Sequence, residues 1–255
     1  MDFWLGTHRP NWLERTDVPL MVSARQLAPR RSLPRAHGPW VLDSGGFSEL
    51  SQFDGWQTTP KQYVTQVRRY RDEIGRLVWA AQQDWMCEPL MLSKTGLSVA
   101  THQALSLANY LELRDRAPEI PWLPVLQGWH LGDYQRHVDL YTTAGVDLSA
   151  QPMVGVGTVC RRQHTMAAIR VLQSLRALGL RLHGFGLKIT SLLRFRQGLA
   201  SADSMAWSID GRYPQGGRCP RHRGRAKCNN CLDYALLWRG RLLDQLTQGQ
   251  LWNDD

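Results

Sequence analysis

Four polar side chains stand where apolar, β-prone runs stop: Asp43 in VLDSGGF (41–47), Asp84 in AAQQDWMCEP (80–89), Gln127 in LPVLQGW (123–129) and Asp203 in ASADSMAWS (200–208). An Asp with a pKa near 4 is ionised at neutral pH and can attack an electrophilic carbon without a separate activating base. A second carboxylate beside it can manage a proton. An amide can both donate and accept, and glycines let the backbone turn sharply or lie close to something. Taken singly, such residues are turn-formers more often than reactive groups, above all an Asp before two glycines. Four at matching positions of a repeating pattern point to a shared site.

A second constellation lies near the C-terminus. Cys219, His222, Cys228 and Cys231 form C-x2-H-x5-C-x2-C, two pairs whose short spacings each supply half of a tetrahedral site. The spacing predicts structural zinc, because four protein ligands leave no open position for water. Reactive thiols are the alternative, but a redox pair has no need of Cys219 and His222 nearby. Cys87 and Cys160 fall outside the set; Cys87 follows Asp84 closely, and a small buried thiol is its ordinary explanation. Arg212, Arg218, Arg221, Arg223, Arg225 and Lys227 put six cations within 16 residues around this cluster. They read either as a solvated loop or as a phosphate-contacting face that the metal holds rigid, and the overall balance favours the second. Lys plus Arg is 31 and Asp plus Glu is 22, a formal +9 that suits a polyanionic partner.

The elements that must position these residues alternate. Apolar stretches near Phe3–Gly6, Leu20–Ser23, Trp40–Asp43, Leu77–Asp84, Trp122–Gln127, Met153–Gly157, Leu182–Gly186 and Leu199–Asp203 give eight candidate strands. Helical patterns fall at Pro60–Gly75, Ser98–Asp115, Asp133–Thr143, Thr165–Leu178 and Tyr234–Gln248, with no clear helix in the first two connections. Eight alternating units predict an α/β fold, a (β/α)8 TIM-type barrel whose loops after the strands carry the chemistry. The sharp compositional change at Gly211–Cys231 suggests a barrel over 1–210, a zinc-binding basic subdomain over 211–233 and a C-terminal helix over 234–255 packed on the barrel. No apolar run approaches the roughly 18 residues of a membrane span, and the start MDFWLGTHRP lacks a charged segment followed by an apolar one. A cytoplasmic protein without a membrane partner is expected; the oligomeric state stays open, a homodimer included.

The motifs also resemble a known family. LGTHRPNWL at 5–13, DSGGF at 43–47, QDWMCEP at 83–89, LQGW at 126–129, GVGTVCRR at 155–162, HGFGLK at 183–188 and ADSMAWS at 202–208 follow, in order, those of the guanine transglycosylase superfamily. More closely, they resemble the phage and bacterial deazapurine DNA-modification transglycosylases, relatives of the tRNA-guanine transglycosylases. The resemblance implies a barrel that exchanges guanine in DNA for a free 7-deazaguanine base by double displacement, leaving the sugar–phosphate backbone intact. It implies Asp203 as nucleophile and Asp43 as the second catalytic carboxylate. Asp84, Gln127 and the Gly157 backbone would hold the base, with Ser44, Gly45, Gly46, Phe47, Gly128, Thr158, His183 and Gly184 in the surrounding motifs.

Two departures bear on the substrate. The tRNA enzymes usually continue DSGGF with Gln, where Ser48 stands here, and their Pro-Thr-Arg segment after the nucleophile is replaced by Ala206-Trp207-Ser208. DNA is therefore expected, with tRNA as the alternative substrate and a non-catalytic zinc-containing nucleic-acid-binding protein as the alternative from another class. Thr158-Val159-Cys160-Arg161 offers no acid to a cationic substituent, which favours neutral 7-cyano-7-deazaguanine. His8, Trp12, Trp85, Trp129 and Trp207 lie near the motifs and are candidates for base stacking, core packing being the commoner fate of any one tryptophan. His102 is expected in helix packing.

Overall fold

A computed structural model describes residues 1–158, 166–195, 198–213, 219, 221–222 and 227–248. Cys160, Arg218, Arg223 and Arg225 lie outside the described residues.

Nine parallel segments form one sheet that curls into a nearly closed barrel: β1 (Asp2–Thr7), β2 (Leu20–Ser23), β3 (Trp40–Asp43), β4 (Leu77–Ala81), β5 (Trp122–Leu123), β6 (Val125–Leu126), β7 (Val154–Val156), β8 (Leu182–Gly184) and β9 (Ser201–Ser204). Their order is β5-β4-β3-β2-β1-β9-β8-β7-β6. Only Pro124 separates β5 from β6, so the two count as one strand of a (β/α)8 barrel. Proline has no N–H to give a ladder. The next donor, the Val125 N–H, is taken up by the buried side chain of Gln82 just past β4, whose Oε1 accepts it at 3.2 Å. All eight expected strands are present.

Parallel strands covered on both faces need apolar residues on both faces. The interior takes Trp4, Met21, Val41, Trp79, Ala81 and Leu123, with Met153 and Phe185 against them. The outer faces, Phe3, Leu5, Leu20, Val22, Trp40 and Leu42 among them, belong to the larger core under the helices. The two-residue period fixes the site: Val41 points inward, so Asp43 does too. Asp203 pairs in register with inward Trp4.

The helices are α1 (Ala24–Leu27), α2 (Gly46–Phe53), α3 (Pro60–Ile74), α4 (Pro89–Thr95), α5 (Val99–Arg116), α6 (Leu131–Thr143), α7 (Met166–Ala177), α8 (Ile189–Phe195), α9 (Ala206–Asp210) and α10 (Leu232–Gln248). In α3 a capping box pairs Thr59 with Gln62, Pro60 sits at the first turn, and Tyr63, Val67, Tyr70 and Ile74 are buried on one face. The first connection holds a single 3-10 turn, Pro10–Trp12, and the second holds only α1. Among the described residues no helix is long and apolar enough to cross a membrane.

Candidate active site and metal centre

Two adjoining cavities open at the C-terminal ends of the strands, and Asp43, Phe47 and Phe185 belong to the walls of both. The larger, about 410 Å³, is also lined by Asp203, Gly45, Thr7, His8, Ser23 and Arg25. The smaller, about 250 Å³, is lined by Ser44, Gly46, Asp84, Glu88, Gln127, Gly157 and Thr158 among others. The strand ends thus deliver their acids to one continuous mouth.

The smaller cavity has a fixed polar wall. Gln127 Nε2 donates to Asp84 Oδ2 at 2.5 Å, and the Thr158 hydroxyl donates to Gln127 Oε1 at 2.6 Å. Ser44 Oγ lies 3.4 Å from Asp84 Oδ1. Thr158 Oγ1 accepts from the Cys87 N–H at 3.2 Å. Thr158 holds φ at 62°, a left-handed conformation that a β-branched residue adopts only when its surroundings impose it. A Cβ at Gly157 would come within 2.1 Å of Gln127 Nε2, so only glycine lets the amide lie flat against that backbone. Burial pushes the Asp84 carboxyl up to about 7; the Gln127 hydrogen bond opposes this, while the charges of Asp43 and Glu88 add to it.

In the larger cavity Asp203 is 7% exposed, and its Oδ1 accepts from the Gly186 N–H at 2.7 Å. Burial raises the pKa of Asp43; hydrogen bonds from the Ser23 side chain and the Gly45 backbone oppose that shift, and the Asp203 charge reinforces it. His183 is fully buried, with Nδ1 2.7 Å from Ser201 Oγ and Nε2 3.6 Å from Asp203 Oδ1. It stands behind Asp203 rather than in either wall. Two carboxylates of unequal environment facing one cavity, beside a slot with an ordered donor–acceptor wall, can attack a carbon and shuttle a proton at the edge of a planar ring.

The sequence profile of the family described as deoxypurine in DNA protein A (DpdA) matches residues 1–252. The chain belongs to the DpdA family. No curated protein matches it significantly.

In this DpdA chain some glycines near the motifs serve packing. A Cβ at Gly128 would meet Asp133 at 2.7 Å, and one at Gly184 would meet Leu187 at 2.8 Å; neither glycine lines the two cavities. Trp207 is fully buried, donates to the Gly6 carbonyl at 2.8 Å and lies 5.0 Å from buried Trp12. Neither indole offers a free face to a base. Trp85 and Trp129 are half-buried. His102 is fully buried between the Met86 carbonyl and Thr95. Cys87 is fully buried and burial raises its thiol pKa, which keeps it protonated. Sequence reasoning missed Ser23, which ends β2 as Asp43 ends β3, Arg25 two residues on, and Glu88, four residues beyond Asp84. Glu88 is 4% exposed and puts a third acid in the wall of the smaller cavity. An acid able to welcome a cationic substituent thus stands in this wall, outside the segment after Gly157.

Cys219, His222, Cys228 and Cys231 converge, their ligand atoms all within 4.8 Å of one another. Tetrahedral metal–thiolate bonds of about 2.3 Å put sulfurs roughly 3.8 Å apart. Cys219 Sγ and Cys231 Sγ are 3.9 Å apart, and His222 Nδ1 lies 3.5 Å from Cys219 Sγ and 3.3 Å from Cys228 Sγ. The donor set fits one tetrahedral ion. The Cys228 N–H donates to the Gly211 carbonyl at 2.5 Å, Ser208 Oγ donates to the Asn229 carbonyl at 3.0 Å, and Asn230 hydrogen-bonds His8 in the cavity wall. Arg212, Arg221 and Lys227 around it are exposed.

Proposed function

We propose that the protein is a DNA-guanine transglycosylase that replaces guanine in DNA by a 7-deazaguanine through a covalent aspartyl-sugar intermediate. The observation that carries this is the adjacency of the two cavities, one holding a pair of carboxylates and the other a hydrogen-bonded slot for a flat base. Asp203 attacks C1′ of the target nucleotide; its C–O bond forms as the C1′–N9 bond breaks through an oxocarbenium-like transition state. The bonding pair leaves on the purine, which takes a proton delivered by Asp43. The incoming base gives its N9 proton to Asp43, its nitrogen attacks C1′, and the ester to Asp203 opens. Asp84 and Gln127 bind the edge that guanine and its deaza analogue share, so one slot serves both. Ionised Asp84 is the acceptor this needs.

The family's name speaks of deoxypurine in DNA, and that supports DNA over tRNA. A module that only binds nucleic acid would more naturally place Arg or Lys than two acids at the mouth. We assign zinc to the Cys/His cluster, with a structural role because all four positions are filled by protein. The absence of acids after Gly157 favours 7-cyano-7-deazaguanine, but Glu88 removes the force of that argument, and the class of 7-deazaguanines is what we assign.

Mass spectrometry of nucleosides tests the reading. Purified protein is incubated with DNA or tRNA and either 7-cyano- or 7-aminomethyl-7-deazaguanine. Modified deoxynucleosides are expected, with little change in tRNA; modification of tRNA alone overturns the assignment of DNA. The same preparation should carry about one equivalent of zinc per chain, which a Cys228→Ser/Cys231→Ser variant loses together with solubility.

A further inference from the structure

The helix that follows Asp203 is amphipathic in an unusual sense. Its inner face buries Trp207 and Ser208, as expected for a helix on a barrel. Ile209 within the same helix is 61% exposed, and Met205 at its N-cap and Tyr213 just past its end are 38% and 71% exposed, the three spaced four apart. Beyond the helix the chain goes on in turns, the Arg212 N–H bonding the Ile209 carbonyl at 3.1 Å and the Tyr213 N–H bonding the Asp210 carbonyl at 3.3 Å. A surface helix normally shows polar residues to water. Here exposed apolar residues begin at the cavity that holds Asp203, with Met205 in its wall beside Phe47, 40% exposed, and Ile209 and Tyr213 following along the chain. Arg212, the next cation, is exposed beside it.

The stripe rests on a rigid base. Trp207 is pinned to β1 through the Gly6 carbonyl, and Ser208 and Gly211 are tied to Asn229 and Cys228 of the Cys/His cluster. A polyanion would meet apolar side chains here that gain nothing from phosphates but that suit the faces of bases.

We propose that Ile209 and Tyr213, continuing from Met205, form a wedge that enters the DNA stack where the target guanine has left it and packs against the flanking bases. This rests on the reading of the protein as a base-exchange enzyme acting on DNA. Extruding a guanine from a duplex costs a few kcal/mol, and an apolar wedge in the gap restores part of the lost stacking. A single strand has less stacking to replace. The wedge therefore serves duplex substrates above all, and exposed Arg212 beside it supplies a cation for a phosphate of the same strand.

The test compares incorporation of labelled guanine into matched duplex and into single-stranded DNA by the parental protein and by Ile209→Ser/Tyr213→Ser. Met205 is left in place because it lines the cavity. The variant is expected to lose roughly tenfold or more in rate on duplex but less than about threefold on single strands, the scale set by the cost of unstacking. The conservative variant Ile209→Leu/Tyr213→Phe should recover the duplex rate. A double Ser variant that keeps the parental duplex-to-single-strand ratio overturns the wedge and leaves the base-exchange reaction standing. So does sedimentation showing that the parental protein is a dimer and the variant a monomer, which assigns the stripe to a second copy of the chain. Absence of exchange into any DNA by the parental protein removes the reaction, and the wedge with it.

Discussion

The two ends of the barrel hold cavities of similar size and opposite chemistry. At the N-terminal end a space of about 430 Å³ is walled by Trp4, Trp79, Ile120, Pro121, Trp122 and Met153, with Arg114 and Arg181 at its edge. At the C-terminal end spaces of about 410 and 250 Å³ are walled by Asp43, Asp84, Glu88, Gln127 and Asp203. Volume does not distinguish them; buried titratable groups do. An acid held away from water has a destabilising cost that only a task explains, whereas a tryptophan in the same position stabilises the barrel. The lower end is where the barrel is held together, and the upper end is where that stability is drawn on.

That contrast can be broken most directly at Asp203. Asp203→Asn keeps the acceptor for the Gly186 N–H, so it should unfold at nearly the parental temperature while losing base exchange by about 10⁴-fold or more, the scale of removing a nucleophile. Retained exchange would falsify its role. Trp79→Ala, deep between the two ends, should do the reverse: a loss of about 3–5 kcal/mol in urea unfolding, with the rate per folded molecule changed only a few-fold. A stable but inactive Trp79→Ala protein would erase the division of labour.

Asp84 sharpens the comparison through pH. Its folded pKa of about 7 exceeds the ordinary 3.8, so folding takes up a proton between these values. The penalty for burying the charge is absent below the lower value, grows across the window and is complete above the upper one. Asp84→Asn should therefore be more stable than the parent at pH 8, on the order of 2 kcal/mol, with the difference vanishing near pH 4. For the parent, KM for the free base should fall between pH 6 and 8 as the carboxylate ionises. A stability difference that does not vary with pH would contradict the shift. The smallest effect belongs to the lower rim, where Arg114→Ala and Arg181→Ala should alter stability by less than about 0.5 kcal/mol and leave exchange unchanged. A clear loss of activity there would make the N-terminal cavity a second functional site.

Much of this arrangement is legible in the sequence because parallel strands are covered on both faces. Runs such as Trp40–Leu42 and Leu77–Ala81 are then apolar without interruption, and each stops at a polar residue near the C-terminal end of its strand. Asp43, Gln127 and Asp203 announce themselves by breaking such runs, whereas Asp84 stands three residues past the last residue of β4, beyond the fully buried Gln82 and Gln83. The break at Pro124 is invisible because the N–H that follows it, on Val125, is satisfied by the Gln82 side chain, more than forty residues earlier in the chain. Helices α2, α4, α8 and α9 escape notice for a different reason: eight residues or fewer scarcely fill two turns, too little for a 3.6-residue period to appear. Glycines are the hardest to read, since Gly157 admits a side-chain amide and Gly128 admits a helix, and both stand after an apolar run. Nor does spacing reveal that Asn230, inside the Cys/His cluster, holds His8 from the opposite end of the chain.

Thr158 has a consequence for the direction of the reaction. By donating to Gln127 Oε1 it leaves the amide only one orientation, with Nε2 toward Asp84. Its unfavourable backbone angle is the cost of holding that polarity before any base arrives. A slot so set treats departing guanine and arriving 7-deazaguanine alike along their common edge, and the equilibrium between them gains no bias from it. On the proposed reaction the bias lies in the bases themselves: guanine can accept a proton at N7 and leave, whereas its 7-deaza counterpart has carbon there and no such exit. The pocket is then a symmetric gate, and chemistry beyond its reach makes passage one-way.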